Sequence, residues 1–120
     1  MKYNVLEQFD ISGKTVAITG GGGELCGTMA EALAEMGVKV AILDLNLENA
    51  KKREKAITDA GGTAKAFPCN VLEEVNLREV YKEINDLWGV PEFLINGAGG
   101  NNPQGSTDKE FFALEDLDSP

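Results

Sequence analysis

Four short apolar runs punctuate the chain: Thr15 to Thr19, Lys39 to Leu43, Thr63 to Phe67 and Glu92 to Asn96. Each is bounded by turn residues and is apolar on both sides of its alternation. That pattern predicts strands covered on both faces, the habit of a parallel sheet. Helical periodicity fills the intervals. Leu25, Met29, Leu33 and Met36 fall at i, i+4, i+8 and i+11, predicting a helix with one apolar stripe that Gly37 terminates. From Leu47 to Ala60 the chain is charged, with only Leu47, Ala50, Ile57 and Ala60 available to pack, so a surface helix closed by Gly61 and Gly62 is expected. From Glu73 to Trp88 the stripe is Leu77, Val80, Tyr81, Ile84, Leu87 and Trp88, stopped by Gly89 with Pro91 beyond.

The order is therefore β-α-β-α-β-α-β. Parallel neighbours need crossovers of this length, and right-handed crossovers wind the chain into a Rossmann-like α/β sheet. The expected sheet has four parallel strands in the order 3-2-1-4 and three crossover helices, one half of a doubly wound fold. Residues 1–14 are a lead-in whose Phe9 and Ile11 are expected on the sheet, and residues 15–100 form the βαβαβαβ unit. Residues 101–120 are a polar Gly/Asn loop and the start of a further segment carrying Phe111, Phe112, Leu114 and Leu117, expected to be poorly ordered.

A length of 120 residues allows one domain. Twenty acids against eleven bases give a formal charge of -9, which argues against nucleic acid or an anionic membrane as partner. No apolar run approaches a membrane span, and the first residues do not resemble a signal peptide. Cys26 and Cys69 have no metal-site spacing, so a reducing cytoplasm is the expected location. With no histidine, the chain carries no Ser-His-Asp or Cys-His catalysis and no histidine-ligated metal; no metal site is expected.

Glycine concentrates the candidate chemistry. Of 14 glycines, five lie between Gly20 and Gly27 and four between Gly97 and Gly105. Thr19-Gly20-Gly21-Gly22-Gly23, followed by Glu24, Leu25, Cys26 and Gly27, sits where a strand turns into a helix. Glycine there lets the backbone approach a phosphate, and the helix N-terminus supplies positive potential for a pyrophosphate. The plainer alternative is a flexible strand–helix turn. Asp44, beside Leu45 at the end of the second strand, can accept both hydroxyls of an adenosine ribose and would repel a 2'-phosphate, which favours NAD over NADP; the alternative is a helix cap, for which Asn46 is as well placed. Asn70 and Val71, after the third strand, suit an adenine amine and ring, or else a simple helix cap. Cys69 reads as a small buried apolar residue, not as a nucleophile. Asn96, Gly97, Ala98 and Gly99 close the fourth strand. Chain order reverses between the first and fourth strands, so both glycine clusters are expected at one crevice.

These residues together resemble the short-chain dehydrogenase/reductase family, from about Phe9 to Gly100. Thr19 and the following glycines match the start of its TGxxxGxG loop, Asp44 the acid of NAD-preferring members, Asn70-Val71 its adenine-contacting Asp-Val, and Asn96 to Gly99 its NNAG motif. TGGGG with a following LCG, and NGAGGNNP, are similar to the members that act on the sugar acids D-mannonate and D-fructuronate. The resemblance implies a dinucleotide cofactor and hydride transfer to or from a sugar-acid substrate. Four strands alone would leave the outer edge of the fourth strand unpaired, so self-association into a homo-oligomer, or marginal stability, is expected. Departures fall on Glu24 and Cys26, where the family has glycines, on Asn70 for Asp and on Gly97 for the second Asn. Glu24 would bring negative charge toward the pyrophosphate unless its side chain turns to solvent.

The family's Ser and Tyr-x-x-x-Lys machinery lies C-terminal to the NNAG strand. The only tyrosines here are Tyr3, followed four places on by Glu7, and Tyr81, followed by Asn85. No catalytic residue is therefore assigned, and the chain is expected to be the inactive N-terminal part of a larger oxidoreductase. Two other classes compete with this reading. A class I methyltransferase would want an acid leading into the glycine loop, where Thr19 stands. A non-catalytic nucleotide-sensing module needs no tyrosine.

Overall fold

A computed structural model describes residues 2–100, so the loop and further segment expected over 101–120 lie outside the described residues. After a single helical turn, α1 (Val5–Gln8), come β1 (Thr15–Thr19), α2 (Glu24–Glu35), β2 (Lys39–Asp44), α3 (Leu47–Asp59), β3 (Thr63–Pro68), α4 (Glu74–Trp88) and β4 (Phe93–Asn96). All pairings are parallel, and the strands lie in the order β3-β2-β1-β4. The Rossmann-like order expected from the sequence is the order observed, with each strand and crossover helix within a residue or two of its expected bounds.

Alternation along the strands divides the core in two. Val16, Ile18, Val40 and Ile42 meet α2 and α3 through Ala30, Ala34, Ala50 and Ile57. Ala17, Ala41, Leu43 and Phe67 point the other way and meet only α4, through Val80 and Ile84. Two helices thus cover one face and one helix covers the other. Every residue of β1 is buried, because β1 has a strand on each side and helices on both faces; β2, the other inner strand, is buried except at its two ends. The short β1–β4 ladder is fastened at its beginning by a reciprocal pair. The Glu92 N–H donates to the Thr15 carbonyl at 3.0 Å, and the Thr15 N–H donates to the Glu92 carboxylate at 2.7 Å. That second bond holds the Glu92 carboxyl below its ordinary pKa.

Four expectations need correction. Most of the large apolar stripe of α2 is not its buried face: Leu25 is 73% exposed, Met29 and Met36 are also exposed and only Leu33 packs against the core, whereas Cys26, Gly27, Ala30 and Ala34 are buried. The helix lies so close to β1 and α3 that only small side chains fit beneath it. On α4, Val80 and Ile84 are buried, but Tyr81 and Leu87 are exposed, because α4 has no neighbour on its outer flank among the described residues. Phe9 is exposed and does not pack on the sheet, since α1 stands clear of it; Ile11 does pack against the core. Finally, β4 and the first half of β3 are open, not buried on both faces. They are the sheet's two edges, and α4 packs over β1, β2 and β3 without reaching β4.

The small-residue seam makes a counterintuitive prediction. Ala30→Leu adds apolar surface yet overpacks the seam, so it should lower stability in urea unfolding by about 1–3 kcal/mol. Leu25→Ala, on the exposed stripe, should change it by no more than about 0.5 kcal/mol. The reverse ranking would return the large stripe to the core.

Candidate functional site

The two glycine turns are in direct contact. Gly20 has φ +66, and a Cβ there would lie 2.9 Å from the Gly97 carbonyl carbon. A Cβ on Gly97 would in turn lie 2.7 Å from the Thr19 carbonyl oxygen and overlap the Cys26 sulfur. Neither position tolerates a side chain without a shift of backbone. Beneath this contact the buried Thr19 hydroxyl accepts the N–H groups of Gly97 and Ala98, each at 3.1 Å, and lies 3.5 Å from the Ile95 carbonyl as donor. One hydroxyl therefore fixes the path of the second turn against the first.

Asp44, the last residue of β2, ties in a third element. Its Oδ2 accepts the Gly22 N–H at 3.0 Å, and its Oδ1 accepts the Asn46 N–H at 2.8 Å. An ionised carboxylate offers about four acceptor positions, so about two remain for a ligand. Asp44 is not the cap of α3. That role falls to Asn46, whose side-chain oxygen accepts the Asn49 N–H at 3.2 Å. Leu45, next in the chain, is exposed.

The turn after β3 is built from local bonds. Asn70 Oδ1 accepts the Leu72 N–H at 3.1 Å, and Asn70 Nδ2 donates to Glu73 at 3.3 Å. The Asn70 N–H donates to Asn76 Oδ1 at 2.6 Å. Asn70 thus shapes the turn ahead of α4 with both ends of its side chain, although the cap position of α4 itself is Glu73, which makes no side-chain cap bond; Val71 beside Asn70 is part-exposed toward the crevice. Cys69 is buried, and burial pushes its thiol pKa up, away from nucleophilic use.

These parts enclose a crevice of about 710 Å³ at the C-terminal edge of the sheet. Its walls are Gly20, Gly23 and residues 97–100 from the glycine turns, Asp44 and Leu45 after β2, and Cys69 to Leu72 after β3. Nine of the fourteen candidate residues line it. Thr19, Gly21 and Gly22 support it from behind: the Gly21 N–H donates to the Leu43 carbonyl at 3.1 Å, and Gly22 holds Asp44. Leu25 points to solvent outside it. Asn96 borders instead an apolar groove of about 510 Å³ between α4 and β4, which also contains Tyr81. Cys69 and Gly100, at the ends of the Asn70-Val71 and Asn96-Gly99 runs, also line the crevice, as does Leu72, for which adjacency to Val71 is the only sequence signal. Among the described residues no cluster of three or more His, Cys, Asp or Glu side chains could hold a metal, and no helix is long and apolar enough to cross a membrane.

A parallel sheet with this reversal, a glycine turn on each side of it and an acid at the end of the next strand defines a dinucleotide-binding α/β protein. A family model described as short chain dehydrogenase matches residues 14–118, and the chain belongs to that family. It is 46% identical over 112 residues to an uncharacterized oxidoreductase of Haemophilus influenzae, covering 93% of this chain and 39% of that protein. It is likewise 46% identical over 103 residues to the uncharacterized oxidoreductase UxuB of Bacillus subtilis, covering 86% and 37%. A solved Haemophilus structure with bound NAD, provisionally assigned as a D-mannonate oxidoreductase, superposes with a TM-score of 0.77 at 45% identity, over 92% of this chain and 40% of that one. The chain thus spans about two fifths of the length of these relatives.

Removal of the Thr19 hydroxyl tests the junction between the turns. Thr19→Val keeps the shape but strands the Gly97 and Ala98 N–H groups, so urea unfolding should show a loss of about 1–3 kcal/mol. Thr19→Ser should retain most of the stability. Equal stability of the Val variant and wild type would show that the hydroxyl does not organise the turn.

Proposed function

We propose that this chain supplies the NAD-binding part of an oxidoreductase whose substrate is a sugar acid of the D-mannonate/D-fructuronate kind. The observation that carries the cofactor assignment is the Asp44 carboxylate, fixed by two backbone N–H groups at the crevice wall with acceptor positions to spare. In this reading Asp44, with Leu45 beside it, receives the adenosine ribose. Its charge repels a 2'-phosphate, so NADP is disfavoured. Gly20 to Gly23, ahead of Leu25, carry the pyrophosphate beside the start of α2. Val71 lies against the adenine, with Asn70 shaping the turn that presents it. Thr19 and residues 96–99 define the nicotinamide side. The NAD-bound Haemophilus relative supports the cofactor, and the NGAGGNNP run that prompted the sugar-acid resemblance supports the substrate class.

When bound, NAD supplies a hydride acceptor. The chain's own residues bind and orient it. Its two tyrosines offer no proton donor at the crevice: Tyr81 lies on α4 by the apolar groove, and Tyr3 precedes α1. The 120-residue chain is accordingly proposed to bind cofactor without turnover. Family membership sets aside the methyltransferase alternative. The buried free thiols of Cys26 and Cys69 suit a reducing cytoplasm. The edge of β4, unpaired among the described residues, and the apolar groove beside it favour association with a second copy, because an unpaired strand edge is a template for pairing.

Titration of the chain with NADH and NADPH tests the cofactor reading. NADH should bind at least about tenfold more tightly, and Asp44→Asn should narrow that gap by weakening NADH about 10- to 100-fold. Equal binding of the two dinucleotides would remove Asp44 from the ribose site. Sedimentation velocity tests association: dimers or larger species are expected at micromolar concentration, and a single monomer boundary would contradict it.

A further inference from the structure

Arg53 on α3 has no counterpart in the cofactor reading, yet it reaches the start of α2, where the pyrophosphate is placed. Its side chain is only 19% exposed. The stem lies directly over Gly27: a Cβ on that residue would come within 2.6 Å of the guanidinium carbon. Gly27 is the glycine displaced from the family's loop pattern, and here it makes the slot that Arg53 occupies. From that slot the guanidinium meets three acceptors. Nη1 donates to Glu31 at 2.7 Å, while Nη2 donates to the Gly23 carbonyl at 3.3 Å and lies 3.4 Å from the Glu24 carboxylate.

Gly23 caps α2 and lines the cofactor crevice, and Glu24 is the acid that stands where the family has a glycine. The Glu24 side chain is fully exposed and borders the α2–α3 groove, and it is not among the residues that line the crevice. We propose that Arg53 is a positioning residue for the pyrophosphate site. It braces the Gly23 carbonyl and holds the Glu24 carboxylate off the crevice, so that the loop presents its N–H groups to a diphosphate without an opposing negative charge. The charge of the site explains the need. The chain carries a formal charge of -9, and Glu24, Glu31 and Asp44 all lie around the loop, with Arg53 the cation bonded to it. A diphosphate adds two more negative charges. Arg53 thus compensates for Glu24, and Gly27 compensates by making room for Arg53.

This inference rests on the cofactor reading above, and a double-mutant cycle separates the two. NADH affinity is measured by fluorescence titration for wild type, Arg53→Met, Glu24→Gln and the double variant, at low and high salt, with a thermal melt of each. Arg53→Met should bind NADH roughly three- to tenfold more weakly at low salt, the range of a partly exposed charge pair. Adding Glu24→Gln should restore most of the loss, and about 1 M salt should erase the difference. Arg53→Lys, which keeps the stem over Gly27, should show the same pattern in smaller measure if the Met variant does not fold. Glu24→Gln alone should change affinity less than about twofold, because its charge is already held by Arg53.

A loss that neither Glu24→Gln nor salt reverses would mean that Arg53 acts only by packing α3 on α2, and the proposal fails. Severalfold tighter binding by Glu24→Gln alone would also overturn it, by showing that Glu24 is not held. If wild type shows no saturable NADH binding, the cofactor reading itself fails and this inference with it.

Discussion

The site depends on a backbone-to-backbone contact that only glycine permits. Gly20 and Gly97 approach within what would be the volume of a single Cβ, and the Thr19 hydroxyl under them collects two N–H groups of the second turn. Those N–H groups have no strand partner where β4 ends, and the Thr19 hydroxyl supplies the acceptor that keeps them from being left unpaired. Because β1 and β4 are adjacent and parallel, the two turns emerge at the same edge of the sheet. Their contact sets the depth of the crevice between them.

From that junction the remaining walls follow by short hydrogen-bonded links. Asp44 reaches back from β2 to Gly22, so the acid that would read a ribose also holds the loop that would carry the phosphates. Ribose recognition and loop shape are therefore coupled in one carboxylate. Arg53 adds a second tie on the opposite side of the same loop, through the Gly23 carbonyl. The glycine run is thus not slack chain. It is held at Gly20 by the facing turn, at Gly22 by Asp44 and at Gly23 by Arg53, an arrangement suited to preorganised binding.

Strand order, crossover helices and both glycine turns were legible in the sequence because they rest on local signals: short apolar runs, glycine stops and a lone acid after β2. Burial was less legible. Leu25, Met29, Leu33 and Met36 form a convincing stripe at helical spacing, yet the neighbours of α2 lie too close for large side chains, and periodicity carries no information about distance. The open faces of β4 and β3 depend on which elements lie beside them, which a run of apolar residues does not encode. Arg53 was invisible for the same reason. It sits 26 residues from Gly27 in a charged stretch that reads as solvent-facing, and only the packing of α3 on α2 brings the two together.

The central claim is that two glycine turns and Asp44 form one dinucleotide crevice. Backbone amide NMR of the chain titrated with NADH tests it most directly. Saturable shifts should appear together at Gly20, Gly22, Gly23, Asp44, Leu45, Val71, Gly97, Ala98 and Gly99, and not at Tyr81, Ile84, Phe93 and Leu94 in the α4–β4 groove. Shifts confined to that groove, or none at saturating NADH, would contradict the account.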